Sequence, residues 1–248
     1  MSLLKLEFFK CCRRKIVLVC AAILAVELIW MGVFFARQDA EDMKQGWMLL
    51  LDNLSMVAII LPLSVATLAS RSCELEHKGN TWKLLETMAS PDRLYAAKLG
   101  WGALVLAVLL VIRSGLFLAV GLVLNFSGPI PWGRFALFTL ISWAVSMMVY
   151  ALQQGLSLWF ANQAAALVCG ISGSFLGILS MLFPPALIRF VPWGYYGLMA
   201  LVGMDWNETT QVTRFYWCWP RLSDVALLLI WSAIFLLVGR ALFVKKEV

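Results

Sequence analysis

The chain has 248 residues, of which 62% are hydrophobic and 14% are charged, and its formal net charge is +6. A soluble domain of this length carries about a quarter charged residues, so this composition excludes a soluble globular protein and predicts an integral membrane protein. The sequence contains one histidine and no cluster of cysteines or carboxylates, so we expect no metal site.

Six apolar stretches are long enough to cross a bilayer, which takes about 20 helical residues at a rise of about 1.5 Å each. They cover residues 16–36, 48–70, 99–124, 135–160, 164–183 and 222–244. We therefore predict an all-α integral membrane fold with six transmembrane helices in one domain, residues 1–248.

The basic residues favour one side of this predicted bundle. Thirteen lysines and arginines lie on the side that carries both termini, and six lie on the other side. Because cytoplasmic flanks of membrane proteins are enriched in lysine and arginine, this asymmetry predicts that both termini are cytoplasmic.

Residues 1–15 form an amphipathic segment before the first span. Its apolar residues come first and its basic residues cluster at the end that enters the span. Such a segment predicts an elbow helix that lies at the level of the lipid headgroups. The alternative is a basic flank that only sets the topology.

Three charged residues fall inside the first three predicted spans. Glu27 and Arg113 lie at similar depths in the first and third spans, and an unpaired charge there costs several kcal/mol. We expect them either to pair within the bundle or to face a polar translocation cavity. Asp52, near the outer end of the second span, either meets a cationic substrate or caps a helix.

Residues 71–98 form the longest charged segment between two apolar spans, with five basic and four acidic residues. A mixed-charge, helix-forming segment of this kind predicts a docking surface for a soluble cytoplasmic partner. Gly79 can break the chain direction and Thr81 can cap a helix.

The same segment places large apolar side chains among charged ones. Trp82, Leu84 and Leu85 can enter a groove on the partner, while Glu76 and Lys83 can set its orientation from the rim. The alternative is a solvated loop that has no partner.

The fifth span carries a smooth face for close helix packing, formed by Gly170, Gly173 and Gly177. Its sequence GISG, residues 170–173, also resembles the nucleophile site of rhomboid intramembrane proteases. That chemistry needs a histidine base in a neighbouring span, whereas His77 lies in the predicted cytoplasmic loop. We therefore expect no catalytic residues.

Residues 184–221 are too interrupted by proline to cross the membrane, yet they contain nine aromatic residues. We predict two short helices at the outer interface, and the alternative is an ordinary aromatic belt. The aromatic residues singled out as a candidate site are Trp193, Tyr195, Tyr196, Trp206, Trp217 and Trp219.

The order of these elements resembles that of the permease subunits of ABC-2-type transporters, the class of the ABCG-like exporters. Residues 6–15, LEFFKCCRRK, resemble the basic elbow that opens many such permeases. Residues 74–91, ELEHKGNTWKLLETMASP, resemble their coupling segment, which begins at Glu74 here and in which Asn80 separates the Gly from the Thr.

This resemblance implies a permease subunit of an ABC exporter in the bacterial cytoplasmic membrane. The sequence has no GxxxxGK[ST] motif, so ATP and Mg²⁺ must be bound by a separate cytoplasmic ATPase, and this chain is neither an enzyme nor a holder of its own cofactor. We expect membrane lipid and no nucleic acid among its other partners.

The short six-span form and residues 74–91 are most similar to lantibiotic-immunity permeases. That similarity implies export of a lantibiotic peptide for self-protection and a heterodimer with a second, homologous permease. Two alternatives stay open, namely an ABC-2 exporter of another drug, lipid or peptide, and a membrane scaffold or sensor that recruits a cytoplasmic regulator.

Overall fold

The computed structural model describes most of the chain. It covers residues 3–38, 43–52, 54–79, 81, 84–85, 87, 89–207 and 212–245. Within these ranges, the side chains of residues 54–56, 206–207 and 212–213 lie outside the description.

Helices dominate the described residues, and one hairpin interrupts them. In chain order the elements are α1 (Leu3–Arg13), α2 (Ile16–Phe35), α3 (Gly46–Leu51), α4 (Leu54–Gly79), α5 (Pro91–Val123), α6 (Trp132–Trp159), α7 (Gln163–Ser180), α8 (Pro185–Ile188), α9 (Tyr195–Leu198), β1 (Val202–Asn207), β2 (Val212–Trp217) and α10 (Leu222–Lys245). Six of them, α2, α4, α5, α6, α7 and α10, are long and apolar enough to cross a membrane. The predicted all-α, six-span fold is confirmed.

Helix α4 lies at the centre of the bundle and α10 lies at its periphery. In the most apolar part of each helix, 78% of α4 is buried inside the protein but only 17% of α10. Helix α2 buries a single stripe of residues three or four apart, which leaves its other faces to lipid. That stripe consists of Ile16, Cys20, Leu24, Glu27, Met31 and Phe35. We call the end of the bundle that carries α1 the α1 end, and the opposite end the hairpin end.

The second predicted span differs from the helices that are present. The apolar run 48–70 is divided between α3, which ends at Leu51, and α4, which continues through the charged residues to Gly79. An ion pair one helical turn apart, Lys78 Nζ to Glu74 Oε1 at 2.5 Å, supports this extension.

The third spanning helix also begins inside the predicted coupling segment. Pro91 occupies the first turn of α5, where its missing N–H costs no hydrogen bond, and Asp92 lies in the same turn. Residues 71–98 are therefore built largely from the ends of two spanning helices.

The outer segment contains the predicted short helices and, in addition, an antiparallel hairpin. Strands β1 and β2 pair from Val202 opposite Trp217 to Asn207 opposite Val212. The expectation of helices alone was wrong for residues 202–207 and 212–217. The run 212–217, VTRFYW, is rich in β-branched and aromatic residues, which favour strands.

The three glycines of α7 allow other groups to approach closely, and these groups are either another helix or a tryptophan side chain. A Cβ atom at Gly170 would collide with Ala66 of α4, so here the glycine permits helix–helix packing as predicted. At Gly173 and Gly177 the colliding group is instead Trp193, which lies between α8 and α9. The predicted helix–helix packing is therefore wrong for these two glycines, which instead leave space for the side chain and backbone of Trp193.

The two intramembrane charges form a buried pair between α2 and α5. The guanidinium of Arg113 donates from Nε to Glu27 Oε2 at 2.7 Å and from Nη2 to Glu27 Oε1. The rings of Phe117 and Phe138 lie 4.3 and 5.1 Å from the guanidinium carbon, so aromatic faces cover the charge. The pairing alternative is the arrangement present, while a role of these residues in substrate passage stays a prediction.

We expect Glu27→Gln to lower the free energy of unfolding by about 3 kcal/mol, because the guanidinium of Arg113 then lies buried without a counter-charge. The double variant Glu27→Leu with Arg113→Met should recover most of this loss, since it leaves no buried charge at all. The thermal midpoint of unfolding, followed by tryptophan fluorescence of detergent-purified protein, measures both effects. A Glu27→Gln variant as stable as the wild type would contradict the structural role.

Candidate coupling site

Four charged side chains from three helices meet at the α1 end. Lys98 Nζ on α5 lies 3.1 Å from Glu7 Oε2 on α1 and 3.0 Å from Glu76 Oε1 on α4. Lys10 Nζ on α1 lies 2.9 Å from the same Glu76 oxygen and 3.2 Å from Glu7 Oε1. These four residues, which we call the charged cluster, join α1 to the ends of two spanning helices.

The charged cluster is almost completely withdrawn from solvent. Glu7, Glu76 and Lys98 are at most 4% exposed. Burial of charges is costly unless they are neutralised, and here two ammonium groups face two carboxylates. Lys98 also donates to the carbonyl of Ser72 at 3.0 Å, which gives its ammonium group a third partner. The cluster is therefore stable only while α1, α4 and α5 hold their present positions.

Contacts with Trp101 fix α1 on α5 beside the cluster. The indole N–H of Trp101 donates to Cys11 Sγ at 2.9 Å, and the ring of Phe8 meets the indole edge-on at 5.5 Å. Burial raises the pKa of the Cys11 thiol to about 11, and the negative charge of Glu7 adds to this effect. Cys11 is thus an uncharged hydrogen-bond acceptor in this contact.

Two of the residues predicted to contact a partner are instead buried in this chain. Glu76 was predicted at the rim of a docking surface, but it is 1% exposed and belongs to the charged cluster. Leu85 was predicted to enter a groove on the partner, but it is 7% exposed and packs with Leu94, Tyr95 and Phe243. Both predictions are corrected, because the contacts of these side chains are satisfied within the chain.

The other predicted contact residues are placed as follows. Gly79 and Leu84 are exposed, the latter by 62%. Glu74 is half-buried and paired with Lys78. Trp82 and Lys83 lie outside the described residues.

Thr81 holds the position expected of a helix-capping residue. Its carbonyl accepts a hydrogen bond from Leu85 N–H at 2.9 Å, and the Leu85 carbonyl accepts one from Ala89 N–H at 3.0 Å. A carbonyl that accepts the first bond of a turn is characteristic of an N-cap. The two bonds therefore have helical spacing at Thr81, Leu85 and Ala89.

At the hairpin end, three of the six predicted aromatic residues serve the fold. The hydroxyl of Tyr195 donates to the Arg189 carbonyl at 3.1 Å, and that of Tyr196 shares a hydrogen bond of 2.9 Å with Ser146. Both tyrosines are buried, and Trp193 lies against the α7 glycines. These three residues anchor the outer segment on the bundle.

Two further tryptophans lie near the surface of the hairpin end. Trp219 is 68% exposed and Trp217 is half-buried. The Arg134 guanidinium stacks over both rings, at 4.1 Å from Trp219 and 5.1 Å from Trp217. The side chain of Trp206 lies outside the described residues, although its backbone belongs to β1.

A cavity of about 360 Å³ opens at the hairpin end, and we call it the outer cavity. Its lining is mainly apolar, with three polar or aromatic groups at its edge. The residues that line it include Met181, Ile188, Leu198, Val202, Trp219, Arg221 and Asp224. Asp224 accepts a hydrogen bond from Arg189 Nε at 2.7 Å, so its charge is already paired.

Asp52 does not line the outer cavity. It follows α3 directly, and its backbone N–H donates to the Met48 carbonyl at 2.8 Å. Burial raises the pKa of the Asp52 carboxyl to about 6. Asp52 is the C-terminal cap residue of α3 by position, and both alternatives for its side chain, a helix cap and contact with a substrate, stay predictions.

The charged cluster was not predicted from the sequence. The spacing of Glu7 and Lys10, one turn apart on α1, is a visible sign of an ion pair. Their approach to Glu76 and Lys98 joins positions that are 66 and 91 residues apart. No local pattern reports such a contact.

Comparison with known sequence families identifies the chain. A family described as "ABC-2 family transporter protein" matches residues 3–179, which is well over half of the chain and runs from α1 into α7. No curated protein matches it. The matched region contains the charged cluster and the Glu27–Arg113 pair, and this family implies a cytoplasmic ATPase partner. The chain therefore belongs to the ABC-2 transporter family, as the multi-pass membrane subunit of an ABC exporter and not its ATPase.

Proposed function

We propose that this permease expels a lantibiotic, or a similar cationic antimicrobial peptide, and so protects the cell that makes it. The resemblance of residues 74–91 and of the short six-span form to lantibiotic-immunity permeases supports this proposal. The same resemblance supports a heterodimer with a second, homologous permease. The basic residues near both termini favour a bacterial cytoplasmic membrane protein with both ends in the cytoplasm.

The outer cavity is the observation that carries the peptide proposal. It combines an apolar lining with the exposed indole of Trp219, which suits the apolar side chains of an amphipathic peptide. The charged groups of the lining are mixed in sign, with Arg221 beside Asp224, and Asp224 is already paired with Arg189. The apolar lining and the indole, and not a net charge, therefore support the binding of an amphipathic peptide.

The energy for export comes from a partner subunit in this proposal. ATP and Mg²⁺ are bound by the cytoplasmic ATPase, because this chain lacks the glycine-rich phosphate loop. The ATPase contacts the exposed surface around Gly79, Thr81 and Leu84. A displacement of Leu84 reaches the bundle through its neighbour Leu85, which packs against α5 and α10.

The charged cluster is the second route by which such a displacement reaches the bundle. Three of its four ion pairs connect α1, the end of α4 and the start of α5 with one another, and the fourth, Lys10–Glu7, lies within α1. If α4 moves relative to α5, these pairs must break or move together. We therefore assign to the cluster the role of holding α1, α4 and α5 as one unit during the transport cycle.

We expect Leu84→Glu to reduce the ATPase recovered with the permease by about tenfold, because the partner groove would have to bury a carboxylate in place of an apolar side chain. Quantitative mass spectrometry of complexes purified from native membranes in mild detergent measures this recovery. The matched control is Met204→Glu, which adds the same charge on an exposed apolar residue at the hairpin end.

The outcome of this purification also separates the function classes. Full ATPase recovery with Leu84→Glu would contradict the proposed contact surface. If intact wild-type protein brings down no ATPase, the scaffold or sensor alternative replaces the transporter proposal. A second permease in the complex supports the heterodimer.

We expect Lys10→Met to leave ATPase recovery unchanged and to reduce peptide export several-fold. In this variant Lys98 still contacts both carboxylates, but one ammonium group then faces two buried carboxylates and α1 loses its ion pair to α4, so we also expect a lower thermal midpoint. Arg13→Met, on an exposed position of the same helix, is the control. Export is measured in proteoliposomes that contain the complex, together with the thermal midpoint of each variant. Normal export by Lys10→Met would contradict the transmission role.

We expect Trp219→Ala to reduce peptide resistance by about tenfold, because an exposed aromatic anchor commonly contributes more than 1 kcal/mol to peptide binding. The minimal inhibitory concentration of a lantibiotic is compared in cells that carry the complete transporter with either version of the permease. Trp30→Ala, on an exposed position of α2, is the matched control. Resistance to an unrelated drug, without resistance to any lantibiotic, would favour the alternative ABC-2 exporter.

A further inference from the structure

We propose that a small basic pocket between the α1–α2 turn and α4 binds the phosphate headgroup of an anionic membrane lipid. The pocket has a volume of about 130 Å³ and a mostly polar lining. It is formed by Arg14, Ile16, Arg71, Glu74, Leu75 and Lys78. The proposed transport function does not include this site.

The charges of the pocket suit a phosphate. Three cationic side chains face one carboxylate, and that carboxylate, Glu74, is already paired with Lys78 at 2.5 Å. Within the part of the chain that the structure describes, Arg14 and Arg71 form no ion pair. Guanidinium groups bind phosphate oxygens through paired, charge-assisted hydrogen bonds, so two unengaged arginines are well suited to an anion.

Helix periodicity and a tight turn build the pocket. Arg71, Glu74 and Lys78 lie at positions i, i+3 and i+7 of α4, which share one face of the helix. Arg14 is placed opposite them by the turn between α1 and α2, where Lys15 has a left-handed backbone with φ of 53°. The Arg14 N–H donates to the Lys10 carbonyl at 3.3 Å within this turn. The two sides of the pocket are therefore fixed by the backbone.

The position of the pocket favours a lipid as the source of the phosphate. On one side, α1 exposes the apolar side chains of Leu4, Phe8 and Phe9, as an interfacial helix does. On the other side, Leu18 is exposed in the first turn of the spanning helix α2 and marks the start of the apolar surface. Arg14 lies between them, at headgroup level, and basic pockets at this level bind anionic lipid headgroups.

The test compares two lipids that differ only in headgroup. Native mass spectrometry of the detergent-purified full chain measures binding of dioleoyl phosphatidylglycerol and dioleoyl phosphatidylcholine. We expect tighter binding of phosphatidylglycerol. The double variant Arg14→Gln with Arg71→Gln should weaken it roughly thirtyfold, since each basic residue near an anionic headgroup contributes roughly a fivefold effect.

The control double variant, Arg37→Gln with Arg214→Gln, removes the same charge from exposed positions at the hairpin end and should bind phosphatidylglycerol like the wild type. If the Arg14 and Arg71 variant does not fold, Lys78→Gln decides, with an expected loss of roughly fivefold. Equal binding of the two lipids, or equal losses in the pocket and control variants, would overturn the proposal. Inorganic phosphate is added as a competitor to test whether the pocket prefers a lipid or a free anion. Complete displacement of phosphatidylglycerol by millimolar phosphate would contradict a lipid site and favour a site for a soluble anion.

Discussion

The neutralisation of buried charge is the constraint on which the rest of this bundle depends. A carboxylate or ammonium group removed from water is tolerated only beside an opposite charge. The described part of the bundle meets this requirement at Glu27–Arg113 within the membrane, at the charged cluster at the α1 end and at Arg189–Asp224 at the hairpin end. The first two sets of pairs join spanning helices that are far apart in the sequence, so each also fixes which helices are neighbours.

Helix α5 belongs to both sets and thereby connects the α1 end to the middle of the membrane. Lys98 and Arg113 lie on this helix about 22 Å apart, at a rise of about 1.5 Å per residue. Because a helix moves largely as a rigid rod, a displacement at Lys98 is transmitted to Arg113. The pair with Glu27 then carries the displacement to α2, whose other faces meet lipid.

The sequence was sufficient for features that depend on composition or on a single strong constraint. The six spans follow from apolar length, and the cost of leaving either charge alone in the membrane reduces the choice for Glu27 to pairing with Arg113 or facing a polar cavity. The charged cluster could not be predicted, because Glu76 looks like any solvated glutamate until α1 lies across the ends of α4 and α5. The hairpin was missed because the aromatic residues of 212–217 are equally typical of a membrane interface and of a strand.

The burial of Leu85 beside the exposed Leu84 changes how a partner can act on this surface. Adjacent residues of a helical turn point in different directions, so Leu84 is available to a partner while Leu85 packs on Leu94 and Phe243. Tyr95, in the same apolar cluster, also donates from its hydroxyl to the Leu236 carbonyl of α10 at 3.4 Å. A displacement of Leu84 by a partner would therefore also act on α5 and α10, because the neighbouring Leu85 shares one apolar cluster with residues of both helices.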